Sequence, residues 1–166
     1  MNVLGCEGNA EVYLIDSLIK RGHLLFNKND LLDMRPIHFR QPIEIAPLID
    51  ILTKDTEITF YRIGDTQKEE YDFERFNVRK EHIKVIKLCT MPEIEILIVI
   101  NEGLYDEYLK VKSKMMPKQF VKERIKSFSS FKQYVSEHDM LFAIKEYKRI
   151  KKHKNGEGYL ADILKE

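Results

Sequence analysis

The sequence predicts an α/β fold: a mostly parallel, Rossmann-like sheet of about four strands covered by helices, with a helical C-terminal extension. Three observations carry this. Short runs rich in β-branched and aromatic residues alternate with segments whose apolar residues recur at helical spacing, the pattern of βαβ units. Two of those runs close on glycine and an acid, at Gly5-Cys6-Glu7-Gly8 and Gly64-Asp65. After Asn101 the helical spacing continues almost unbroken.

Taken in order, Asn2–Cys6 reads as a buried strand, and Gly5 and Gly8 permit a tight turn after it. Asn9 is a candidate cap for a helix from Ala10 to about Lys20. Glu11 lies in its first turn, Val12, Leu14, Ile15, Leu18 and Ile19 form its apolar face, and Arg21-Gly22 ends it. A short strand is compatible with Leu24–Phe26, and a clearer one with Pro36–Arg40, where Ile37 and Phe39 alternate with polar residues. A second helix follows over Ile43–Leu52, then a strand over Glu57–Ile63 that closes on Gly64-Asp65-Thr66. The charged stretch Gln67–Lys80 reads as a loop or irregular helix. Ile83–Leu88 is the next strand, and Cys89-Thr90-Met91-Pro92 leads into a helix from Glu93 to about Asn101. Further helices are expected over Tyr105–Lys112, Lys118–Ser127, Phe131–Ser136 and Met140–Lys152, with a last turn at Tyr159–Leu164.

The chain of 166 residues, 43% hydrophobic and 33% charged, has the size and composition of one globular domain. Its organisation reads as an α/β core over residues 1–101 and a basic helical extension over 102–166 packed on it. Cys6 and Cys89 both sit at strand ends; two thiols make no disulfide scaffold, so both are expected as reduced core residues of a cytoplasmic protein. No secretory signal is visible, and the longest apolar stretch, Ile94–Ile100, contains Glu95 and is too short to span a bilayer, so no membrane partner is expected. The net charge of +1 hides a division. Between Val111 and Asn155 thirteen Lys and Arg face four acids, whereas acids predominate before that. Such segregation suits a polyanionic partner; a solvated helix surface is the plainer account.

In open parallel sheets ligands collect at the carboxyl ends of the strands, and there Glu7 and Asp65 both fall. Glu95, one turn into the helix after Ile83–Leu88, can reach the same rim. Converging carboxylates repel, and their natural partner is a hard divalent cation bound through oxygen, which activates water and offsets charge on a phosphoryl group. Each acid also has a plainer role: Glu7 in stabilising the N-terminus of the following helix, Asp65 in a turn, Glu95 on a solvated helix face.

The string Val3-Leu4-Gly5-Cys6-Glu7-Gly8-Asn9-Ala10-Glu11, an apolar strand followed by Glu-Gly-x-x-Glu and a helix, resembles the first motif of the Toprim family, which includes topoisomerase and primase catalytic domains, the overcoming-lysogenization-defect nucleases and RloB-like proteins. Ile58–Asp65 occupies the place of the second motif, and Pro92-Glu93-Ile94-Glu95 is similar to a Pro-x-x-Glu segment of RloB-like relatives. The resemblance covers about residues 1–101. It implies a Toprim-like fold, catalytic and metal-binding roles for Glu7, Asp65 and Glu95, Mg²⁺ or Mn²⁺ as cofactor, and nuclease activity on DNA or RNA of the kind found in phage defence or mobile elements. A homodimer or a partner ATPase is compatible with it. The sequence departs from the family at Asp65-Thr66-Gln67, where the second aspartate of an Asp-x-Asp pair is replaced by glutamine.

Lys126 and Lys132, flanking Ser127-Phe128-Ser129-Ser130, are candidate contacts for a nucleic-acid backbone. The five histidines show no helical metal spacing and no Cys-x-x-Cys exists, so a zinc site is not expected. Phosphate-binding Gly-rich loops and a nucleophile elbow are absent too. Two functional readings follow: a metal-dependent nuclease, or a degenerate Toprim-like module that binds nucleic acid or protein without catalysis.

Overall fold

The computed structural model describes residues 1–38, 56–65, 82–153 and 156–166. Its frame is a five-stranded, all-parallel sheet built from β1 (Asn2–Cys6), β2 (Ile37–His38), β3 (Ile58–Gly64), β4 (Ile83–Cys89) and β5 (Gly158–Tyr159), in the order β2-β1-β3-β4-β5. Strand addition runs outward from β1 to β2 and then reverses to β3 on the other side. This reversal between β1 and β3 is the topological switch point, where parallel α/β sheets open a crevice for ligands.

The expected strands and helices are present among the described residues, with shifts at their ends. In α1 (Asn9–Lys20) the cap position is Gly8 rather than the expected Asn9, and no side chain caps the helix. The segment near Leu24 forms a single antiparallel bridge with Leu164 in place of a strand. The strand expected over Pro36–Arg40 is seen at Ile37–His38; Phe39, Arg40, the helix expected over Ile43–Leu52 and the stretch Gln67–Lys80 lie outside the described residues. α2 spans Ile96–Asn101 and starts later than the expected Glu93, because the first bonds after Pro92 link residues three apart (Ile96 N to Glu93 O, Leu97 N to Ile94 O), a tighter turn than an α-helix. Then follow α3 (Tyr105–Val111), α4 (Pro117–Arg124), α5 (Phe131–Glu137) and α6 (Leu141–Ile150).

β5 is the element that periodicity did not announce. It pairs with Leu88 and Cys89 of β4 and runs into a 3₁₀ turn, Leu160–Ile163, so the C-terminal region contributes to the sheet as well as covering it. Two residues are too few to display strand alternation.

One continuous core lies on the face that carries Leu4, Cys6, Ile63 and Leu88. It takes in Leu14, Ile15 and Leu18 of α1, Val121 of α4, Val135 of α5 and Ile144 and Tyr147 of α6. The opposite face carries Val3 and Phe60, both fully buried. α2 is apolar all round, and Ile96 through Ile100 are all buried, because it sits in the interior packed against α4 and α6. No described helix is long and apolar enough to cross a membrane.

Ile98, fully buried in the middle of α2, gives a direct measure of this packing. Ile98→Ala removes three carbons from a site with no route to collapse, so a loss of about 2–5 kcal/mol is expected. Urea unfolding checks it: the midpoint falls while the slope with denaturant stays unchanged.

Candidate functional site

The backbone ladder fixes the acids before any side chain is considered. Cys6 stands beside Ile63, and Gly64 beside Cys89. The pairing runs one residue past the strands: Glu7 N–H donates to Ile63 O at 2.9 Å, and Thr90 N–H to Gly64 O at 3.1 Å. Glu7, Gly64 and Thr90 therefore form the rim where the sheet ends, and Asp65 follows directly. The two acids expected to share a rim do so because β1 and β3 are hydrogen-bonded neighbours.

Glu7 lies across Gly64. A Cβ on Gly64 would stand 2.7 Å from the Cβ of Glu7 and overlap its carboxylate, closer than real side chains approach. Glycine is thus required at Gly64 by the space that Glu7 occupies. A similar relation holds at Gly8, where a Cβ would lie 2.9 Å from Glu11 Oε2, so the Glu11 carboxylate folds back over the start of its own helix. Glu11 is buried, as is Glu95, the residue that caps α2.

Electrostatics tie these groups together. Burial pushes the Glu11 carboxyl up to about 7, opposed by a hydrogen bond to its own backbone and reinforced by the charges of Asp65, Glu7 and Glu95. Burial also raises Glu95, with Glu93 and Asp65 adding to the rise and Lys118 opposing it. Glu7, Glu11, Asp65 and Glu95 thus share one field of negative charge over the switch point. Glu93, by contrast, is committed elsewhere: its Oε2 accepts from the Lys118 N–H at 3.1 Å, closing the first turn of α4. That separates the two glutamates of the Pro92-Glu93-Ile94-Glu95 segment. The Thr90 hydroxyl, buried at the same rim, has no hydrogen-bond partner among the described residues.

The four carboxylates are in electrostatic range without being drawn to coordination distance. Among the described residues, the one set of three ligating side chains whose donor atoms all lie within 4.8 Å of each other is Cys89, His153 and Glu157. No sequence spacing announces this group, since its members come from the end of β4 and from positions 153 and 157 ahead of β5. Burial, and then the charge and hydrogen bond of Glu157, push the Cys89 thiol up to about 12, with Lys87 and the buried Arg62 pulling it down. Cys6, the other thiol, is also free and is buried in the core, where burial raises it, as do Glu11 and Asp16.

Lys132 holds its ammonium over the Tyr13 ring, 5.4 Å from the centroid, and lines a cavity of about 450 Å³ between α1 and α5 with Asp16, Lys20 and Arg21. Lys126 is exposed in the turn between α4 and α5. Lys118, at the start of α4, is the lysine with electrostatic reach to Glu95. Two rim residues thus escaped sequence reasoning. Glu11 had a legible signal, its place in the first turn four residues after Glu7; Lys118 had none. Thr66 and Gln67 lie outside the described residues.

Set against known proteins, the chain matches no family model, no curated protein and no solved structure. The rim therefore has to be interpreted from its own chemistry.

The raised Glu11 carboxyl makes stability depend on pH in a defined direction. The folded protein keeps this proton up to about pH 7, whereas an unfolded chain releases it near the ordinary carboxyl value of 4.5. The contribution is full below 4.5 and is lost as pH rises through 7, a total on the order of 3 kcal/mol. Glu11→Gln is expected to flatten this slope and to raise stability at pH 8 by roughly 1–3 kcal/mol relative to wild type. Urea unfolding of both proteins at pH 5.5 and pH 8 measures it; equal slopes would show that Glu11 is not held in this field.

Proposed function

We propose that this chain is a divalent-metal-dependent phosphodiesterase acting on nucleic acid, a nuclease of Toprim type. The observation that carries the reading is the gathering of Glu7, Glu11, Asp65 and Glu95, from three separate stretches of chain, at the carboxyl ends of adjacent parallel strands over the switch point. Like charges gathered in this way raise the cost of ionising Glu11 and Glu95. Such a concentration of acids is a common signature of a working site.

The donor set fits a hard ion. Among the described residues the candidate ligands Glu7, Asp65 and Glu95 all offer carboxylate oxygen, the preference of Mg²⁺ and Mn²⁺, and neighbouring acids add to the rise that burial causes at Glu11 and Glu95. Glu7, Asp65 and Glu95 are the residues that would hold it. What a bound divalent ion supplies to this chemistry is an acidified water and charge compensation at the phosphoryl oxygens.

The chain's own residues supply the rest. Glu11, with a carboxyl near neutrality, is suited to take a proton from an attacking water and return it to a leaving oxygen. Lys118 brings positive charge within electrostatic reach of Glu95 at the same rim. Lys132 and Lys126 extend a basic surface along α5 and the turn before it, suited to a polyanionic backbone. Gly64 keeps the space that Glu7 needs.

A second reading rests on Gln67, which stands where the Toprim pattern has its second aspartate. On that reading the rim is degenerate and the chain binds nucleic acid or a protein without cleaving it. Calorimetric titration of Mg²⁺ and Mn²⁺ into wild type and Glu7→Ala, with cleavage assays on labelled single- and double-stranded DNA and RNA, separates the two. The nuclease reading expects binding heat and cleavage in wild type, with the heat lost and cleavage reduced roughly 10²-fold or more in Glu7→Ala. Neither heat nor cleavage in wild type would leave the binding module.

Gly64→Ala offers a finer check because it removes no ligand. The new methyl group displaces the Glu7 side chain, so metal affinity and cleavage should both fall while circular dichroism stays near wild type. Unchanged affinity in a folded Gly64→Ala would place Glu7 outside the working site.

A further inference from the structure

We propose that Cys89, His153 and Glu157 form a second cation site, one for a d-block divalent ion of the zinc class, with a donor set chemically unlike the carboxylate rim. The three donor atoms already lie within 4.8 Å of one another. A thiol sulfur, an imidazole nitrogen and a carboxylate oxygen are a combination that hard ions such as Mg²⁺ do not select but that suits Zn²⁺, which takes three protein ligands of these types and leaves a fourth position open.

The surroundings are organised as support for a ligating imidazole. His153 Nδ1 lies 2.9 Å from Gly158 O, an acceptor only, so this nitrogen carries a proton. A carbonyl partner of that kind is the usual device that orients a metal-bound histidine through its other nitrogen. The ring is stacked on Tyr159, with centroids 4.0 Å apart, and the His153 backbone N–H donates to the Tyr159 hydroxyl at 3.1 Å. Nε2 lies 3.0 Å from the Tyr147 hydroxyl, whose own proton is donated to Met91 O at 2.7 Å. The Nε2 lone pair therefore faces an oxygen whose hydrogen is already committed. A cation bound at Nε2 takes the place of this contact, so the Tyr147 hydroxyl moves aside as the ion enters while its bond to Met91 O can persist.

Topology gives the site a purpose. Cys89 ends β4, while His153 and Glu157 flank the turn that delivers β5 to that same strand end. An ion held by the three would fasten the two-residue strand to its neighbour, and with it the 3₁₀ turn that follows.

The test uses the full chain, reduced and stripped with chelator, titrated with Co²⁺ in the absence of oxygen. The chain has two cysteines only, so a thiolate-to-cobalt charge-transfer band has an unambiguous source. The expected result is a band saturating at one Co²⁺ per chain, displaced by Zn²⁺, retained in Cys6→Ser and Glu7→Ala and lost in Cys89→Ser. Co²⁺ affinity should fall roughly tenfold or more in His153→Gln. Zn²⁺ should raise the melting temperature of wild type and not of Glu157→Gln. No band in wild type at stoichiometric Co²⁺ overturns the proposal whether or not any variant folds, as does a band that survives in folded Cys89→Ser. Loss of the band in Glu7→Ala would show that the two sites are one and overturn their separation.

Discussion

The parallel pairing of β1 with β3 is the constraint on which the rest depends. Register places Cys6 beside Ile63, and one further ladder bond, from Glu7 N–H to Ile63 O, carries the alignment past the strand ends. A slip of one residue would turn Leu4 and Cys6 out of the core and move Val3 in. The apolar pattern of β1 therefore sets the position of Glu7 as firmly as it sets the core. Because this pair also straddles the reversal in strand order, the place where the chain is obliged to open a crevice is the place where its acids stand.

Two kinds of polar chemistry meet at this end of the sheet, and their differences follow from their neighbours. At the junction of β1, β3 and α1 the polar atoms are carboxylate oxygens, and burial combined with like charge drives Glu11 toward neutrality. One strand further along, at the junction of β4 and β5, sulfur, nitrogen and oxygen stand together amid stacked aromatic rings. Thr90 follows Cys89 and is hydrogen-bonded through its backbone to Gly64, so the residue just past β4 links the two neighbourhoods. Its buried hydroxyl, without a partner among the described residues, is a polar group that proteins seldom leave unsatisfied.

Much of this was legible in the residues. β1, α1, β3 and β4 each have a long enough apolar pattern to declare their type, and Glu7 and Asp65 could be placed because a strand end is a definite location once strand order is assumed. Less was available where the determining factor is tertiary. β5 owes its existence to β4 rather than to its own two residues. Cys89 looked like an ordinary buried thiol because its neighbours His153 and Glu157 are brought to it by α6, whose length no motif encodes. The place of Lys132 over the Tyr13 ring was likewise not visible in a charge count. Glu11 differs from these, since its spacing from Glu7 was visible and only its burial was not.

The late position of β5 bears on how the molecule is made. Backbone bonds from Leu25 N–H to Ile163 O and from Lys165 N–H to His23 O attach the segment after β5 to the loop that follows α1, so residues far apart in the order of synthesis close against each other. Until Gly158–Tyr159 emerges from the ribosome, the end of β4 presents open hydrogen-bonding groups to any passing strand. Lys84 and Lys87, spaced along that same strand, are the kind of charged residue that discourages such pairing. The nascent chain thus carries its own safeguard against joining the wrong partner while it waits for the right one.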